Sequence, residues 1–175
     1  MSKLSDETLS NAADALMRGN AAEAVQVCTA AGASFFAETT FTNDLHSVLT
    51  RTPKVLADCP ARILQPLRIA AGLMLLTGGS SIRRFIAIDG DYTYRYEPGA
   101  VAFLLISHAA YHRQRSSMID VGMTKLQVLG SGIPEECAIC RKISNRRFTI
   151  ETVPELPLVD CTCPDGCKCI LIGAF

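Results

Sequence analysis

Six of the eight cysteines fall within residues 137–169, and no other feature constrains this chain as much. They are spaced as Cys137-x-x-Cys140, Cys161-x-Cys163 and Cys167-x-Cys169. Two residues between thiols let both sulfurs face one point while nearby backbone amides donate to them, which is the knuckle of a tetrahedral thiolate metal site. Pro164-Asp165-Gly166, between Cys163 and Cys167, has turn chemistry and predicts a second knuckle. The pattern is read as one structural zinc held by Cys137, Cys140, Cys163 and Cys167. Cys161 and Cys169 are then spare thiols, serving as substitute ligands or pairing as a disulfide. Arg141, Lys142, Arg146, Arg147 and Lys168 lie close by in sequence and are placed to offset the negative charge of a zinc held by four thiolates.

A catalytic zinc fits less well, because such sites usually keep an open position and use histidine or carboxylate ligands. No histidine follows His112. Zinc deaminases require His-x-Glu followed by Pro-Cys-x-x-Cys. Here Val48, Ala110 and Gln114 stand where the glutamate would follow His46, His108 and His112, and Glu136 precedes Cys137. That chemistry is excluded.

Zinc is preferred to disulfides if the chain stays in a reducing compartment. The start, Met-Ser-Lys-Leu-Ser-Asp-Glu-Thr, has no apolar stretch of the kind a secretory signal carries. The longest apolar runs, 69–76 and 100–106, have eight and seven residues; a membrane span needs about 20. A cytoplasmic location and no membrane partner are expected. Seventeen basic and seventeen acidic side chains give zero net charge. Such a balance lacks the electrostatic footprint of a general nucleic-acid binder.

The order of local signals predicts an α+β fold. A mostly helical body spans residues 1–123 with a β-hairpin near 82–97, and a Cys-rich zinc-knuckle module spans 124–175. Ser5 before Asp6 and Glu7 caps a first helix. Asn20 with Glu23 has capping-box spacing and launches a second, ending near Gly32. A third is expected from Thr42 or Asn43 to near Thr52, before Pro53. The stretch from Ile63 to Leu76 is apolar nearly all round and belongs in a core, with Pro66 kinking it or delaying its start. Arg84–Ile88, the turn Asp89-Gly90-Asp91 and the alternating Tyr92–Tyr96 predict the hairpin. Pro98-Gly99 opens a long helix to about Met118, and Lys125–Leu129 reads as a strand.

From the helix after Ser107 onward, the element order resembles the C-terminal part of phage Mu F-like minor head proteins, the phage head morphogenesis family. The matching features are the 107–120 helix, Gly122, the 125–129 strand, Cys137/Cys140, Phe148, Pro154/Pro157, Cys163 and Cys167-Lys-Cys169. The resemblance covers about residues 105–172. In this chain Cys163 stands at the usual histidine position, the loop before Cys167 is one residue longer, and Cys161 is additional. The resemblance implies a phage or prophage particle component with zinc as a structural staple and no catalytic residue.

Elsewhere, His108 and His112 share one helix face, but Ala109 stands where a His-Glu-x-x-His protease needs glutamate. They read as partly exposed helix residues. Tyr92, Tyr94 and Tyr96 read as one strand face packed on a helix, and Cys28 as a small buried hydrophobe. Two functions remain. The first is a non-enzymatic structural or protein-interaction protein with a protein partner or self-association. The alternative is an enzyme or toxin-like effector with its site around His108, Arg113 and Tyr94.

Overall fold

The computed structural model describes residues 4–35, 38–79, 85 and 92–174. It divides into two compact units, one of residues 1–51 and 60–93, the other of residues 52–59 and 94–175. The α+β class is as expected: among the described residues there are six α-helices and one three-stranded antiparallel sheet. No helix among them is long and apolar enough to cross a membrane.

The first unit holds α1 (Asp6–Met17), α2 (Ala21–Ala30), α3 (Glu38–Thr50) and α4 (Ala61–Thr77). Ser5 accepts the Thr8 amide at 3.1 Å, closing the N-terminus of α1. Asn20 accepts the Glu23 amide at 3.1 Å and donates back to the Glu23 carboxylate at 3.0 Å. Two helices begin where their caps predict.

The third begins earlier than expected, at Glu38 rather than at Thr42 or Asn43. The Thr42 hydroxyl, the expected cap, instead donates to the Glu38 carbonyl at 3.0 Å as an ordinary residue inside the helix. Phe35 stacks on Phe41 with ring centroids 4.5 Å apart and pins the entry of the chain. Pro66 does not delay α4, which starts at Ala61 and runs on through it to the left-handed cap Gly78. Gly72 lies opposite Leu16, and a methyl group there would come within 2.9 Å of the leucine Cδ1. The missing side chain is what lets α1 and α4 approach. The core between the helices contains Leu16, Val25, Cys28, Leu45, Leu73 and Leu76. Arg68 is buried within α4 and donates to the carbonyls of Val48 and Arg51, groups at the end of α3 that lack partners inside their own helix.

The second unit contains a short 3-10 turn at Lys54–Leu56, α5 (Pro98–Asp120), β1 (Lys125–Leu129), α6 (Ala138–Ile143), β2 (Arg147–Thr149) and β3 (Ile170–Gly173). Pro98 takes the first position of α5, where a missing N–H costs nothing. Strand order is β2-β1-β3, with Leu126 opposite Phe148 and Val128 opposite Leu171. Leu126, Val128 and Leu171 are buried, and so fix which face of the sheet is inside.

The second arm of the expected hairpin, Tyr92–Tyr96, is not a strand: residues 92–94 are irregular and 95–96 form a bend. Successive side chains go to separate partners instead of alternating across a ladder. Tyr94 donates to Asp58 at 2.7 Å, Arg95 to the Val55 carbonyl, and Tyr96 to the Cys161 carbonyl at 2.6 Å. Arg95 also lies 5.0 Å over the Tyr96 ring. Nearly all of the first arm and its Asp89-Gly90-Asp91 turn lie outside the described residues.

Candidate metal centre

Three short segments of the second unit deliver the sulfurs. Cys137 is the extended residue just before α6, and Cys140 lies one turn inside that helix. The loop leading into Cys137 is held by Glu136, which is buried and accepts the Ser131 amide at 2.7 Å. Cys161 and Cys163 follow on an irregular segment tied down by the Tyr96 hydroxyl. The turn predicted at Pro164-Asp165-Gly166 forms, with the Gly166 amide donating to the Cys163 carbonyl at 3.0 Å. Gly166 has φ +87°, a left-handed conformation that glycine adopts without strain. This turn reverses the chain so that Cys167 and Cys169 precede β3.

All six sulfurs meet. Those of Cys137, Cys140, Cys161 and Cys163 lie within 4.8 Å of one another, as do those of Cys140, Cys167 and Cys169. Close sulfur separations are 3.6 Å for Cys140–Cys161, 3.8 Å for Cys140–Cys167, and 3.9 Å for Cys137–Cys161 and Cys140–Cys163. A tetrahedral zinc with bonds of about 2.3 Å to sulfur requires edges of about 3.8 Å. The residues present therefore fit a metal ion in spacing and in donor chemistry. All eight cysteines of the chain are free thiols, and every one of the six except Cys137 is buried.

Backbone amides stabilise negative charge here. The Cys137 amide donates to Cys163 at 3.3 Å and the Cys163 amide to Cys161 at 3.4 Å. Burial pushes the Cys137 thiol up, but amides of Cys140 and Thr162 more than reverse this and bring it down to about 6. Hydrogen bonds from the thiols of Cys161 and Cys169 hold Cys167 far below the usual thiol range. Its partners pay the opposite way: Cys161 is raised by donating to Cys167 and by burial, and Cys169 likewise. The pocket thus already favours thiolates at Cys137 and Cys167 before any cation arrives. The five basic residues expected to offset this charge contribute less directly. Arg141, Lys142, Arg146 and Arg147 stand exposed, and Lys168 pairs with Asp165 at 3.1 Å.

The residues of the alternative site are engaged elsewhere. His108 is not partly exposed as expected but 4% exposed. Its Nε2 lies 3.1 Å from the Glu155 carboxylate and 3.0 Å from His112 Nε2. An ionised carboxylate only accepts, so the Glu155 contact requires a hydrogen on His108 Nε2. Glu155 lies 47 residues away in sequence and nothing local marks it as a partner. Tyr94 is bound to Asp58, and Arg113 is exposed on α5. His108, Arg113 and Tyr94 line neither the cavity beside Cys169 nor the one beside Cys163.

Glu155 gives this cluster a pH dependence. Burial alone would raise its carboxyl, but the Lys54 amide and ammonium, with His108, hold it below the ordinary 4.5. A depressed carboxyl contributes stability that is fully present above the unfolded value and is lost as pH falls through the folded one. Glu155→Gln is therefore expected to lose about 1–2 kcal/mol at pH 7. The gap should close as pH drops below 4.5. Urea unfolding of both proteins at pH 7 and across the acid range checks this; a gap that persists at low pH would contradict it.

No protein-family model, curated protein or solved structure matches this chain.

Proposed function

We propose that this chain is a non-enzymatic structural or protein-interaction protein whose Cys-rich C-terminal module is fixed by a structural zinc. The observation that carries the reading is the sulfur quartet Cys137, Cys140, Cys161 and Cys163, mutually within 4.8 Å. The set read from spacing alone has Cys167 in place of Cys161. A structural rather than catalytic role is supported by the donors, which are thiols throughout, with no histidine or carboxylate among them. Three strands of five, three and four residues bury little apolar surface of their own. A metal cross-link supplies what such a module lacks.

The partner in this reading is another protein or a second copy of the chain. Support comes from the apolar side chains this unit leaves exposed, among them Phe103, Val159 and Ile170, the last on an edge strand. The resemblance to phage Mu F-like minor head proteins makes a phage or prophage particle the proposed setting. Protein purified under reducing conditions, without added metal or chelator, should carry at least about one equivalent of zinc by elemental analysis. Folded, metal-free protein overturns the zinc. Peptides of this chain should also be found by mass spectrometry in purified particles, and their absence there overturns the setting.

A further inference from the structure

We propose that the six cysteines form a binuclear site, in which two zinc-class divalent cations share the thiolate of Cys140. The proposal rests on the structural-zinc reading and adds a second metal to it. In a single tetrahedral site each sulfur has three sulfur neighbours, and any further thiols stand apart. Where two metal sites share one sulfur, that bridging sulfur is close to the ligands on both sides. Cys140 is in that position. Its sulfur lies within 4.8 Å of Cys137, Cys161 and Cys163 on one side and of Cys167 and Cys169 on the other.

The two groups of sulfurs assign the other positions. Cys137, Cys161 and Cys163 are terminal ligands of the first cation, with Cys140–Cys161 at 3.6 Å. Cys167 and Cys169 are terminal ligands of the second, with Cys140–Cys167 at 3.8 Å. The first cation then has four thiolates and the second three, and no sulfur is left over.

Charge favours the same count. One divalent cation with four thiolates carries two net negative charges and leaves two buried thiols unused. Two cations with six thiolates carry the same two charges and use every sulfur. The second cation therefore adds nothing to the charge buried, while it partners Cys167 and Cys169, which are 1% and 6% exposed.

The full-length reduced chain, stripped of metal and reloaded with cadmium-113, distinguishes the outcomes. Native mass spectrometry should show two cadmium ions per chain. Cadmium NMR should show two resonances split by coupling to each other through the shared Cys140 sulfur. Cys169→Ser should lower the stoichiometry from two to one. A single ion in the unaltered chain overturns the binuclear site and leaves the one-zinc reading standing. No bound ion overturns both, and two ions without mutual coupling overturn the bridging assignment.

Discussion

Stripping metal from the reduced protein with a chelator is expected to unfold the sheet module while α1–α4 stay helical. Structural zinc contributes on the order of 10–16 kcal/mol to small modules at neutral pH. Whole domains are stable by only about 5–15 kcal/mol. Without the cation, Cys140, Cys161, Cys163, Cys167 and Cys169 are buried thiols held by one another and by single backbone amides. The core of the first unit, around Leu16, Leu45 and Leu76, contains no sulfur of the cluster. Hydrogen exchange with and without chelator should show amides of β1 and β3 losing protection while those of α1 and α4 keep theirs. Unchanged protection at Val128 and Leu171 would falsify the structural role of the metal. Acid should act in the same direction, because protons compete for the thiolates that bind the cation.

What was legible in the sequence was what is decided locally. Ser5 and Asn20 cap helices through bonds to residues three positions ahead, so the signals for α1 and α2 lie within one turn. The thiol cluster was legible for another reason. Six thiols in three short pairs allow few alternatives wherever the chain runs. Long-range partners account for what was missed. The Tyr92–Tyr96 alternation looks like a strand, yet the segment is shaped by Asp58, Val55 and Cys161, at sequence distances of 36, 40 and 65. His108 looked like a surface residue because its partner Glu155 sits on a loop that no periodicity predicts. In α3 Thr42 or Asn43 reads as the start, whereas Phe35 on Phe41 and the Thr42–Glu38 bond carry the helix four residues further back.

The same division explains why the arrangement of the sulfurs was harder to read than their clustering. Spacing identifies pairs of cysteines but not which pairs face each other, so Cys161 ranked only as a substitute. The sulfur positions put it in the same quartet as Cys140. Cys140→Ser is accordingly expected to be the most damaging single substitution in the chain, with Cys161→Ser close behind. Each removes a sulfur that lies within 4.8 Å of at least three others, and a serine hydroxyl does not replace a thiolate on zinc. The expected loss exceeds about 4 kcal/mol, a size reached only through a few mechanisms such as loss of a structural metal. Zinc content should fall with it. Cys28→Ser is the matched control, since Cys28 is equally buried but lies in the first unit with burial alone raising its thiol. Placing a hydroxyl there should cost about 1–3 kcal/mol and leave the zinc in place. Thermal melts and zinc analysis of the three variants decide between the outcomes. A Cys140→Ser protein that keeps its full metal complement and melts with Cys28→Ser would show that the sulfurs meet without binding anything.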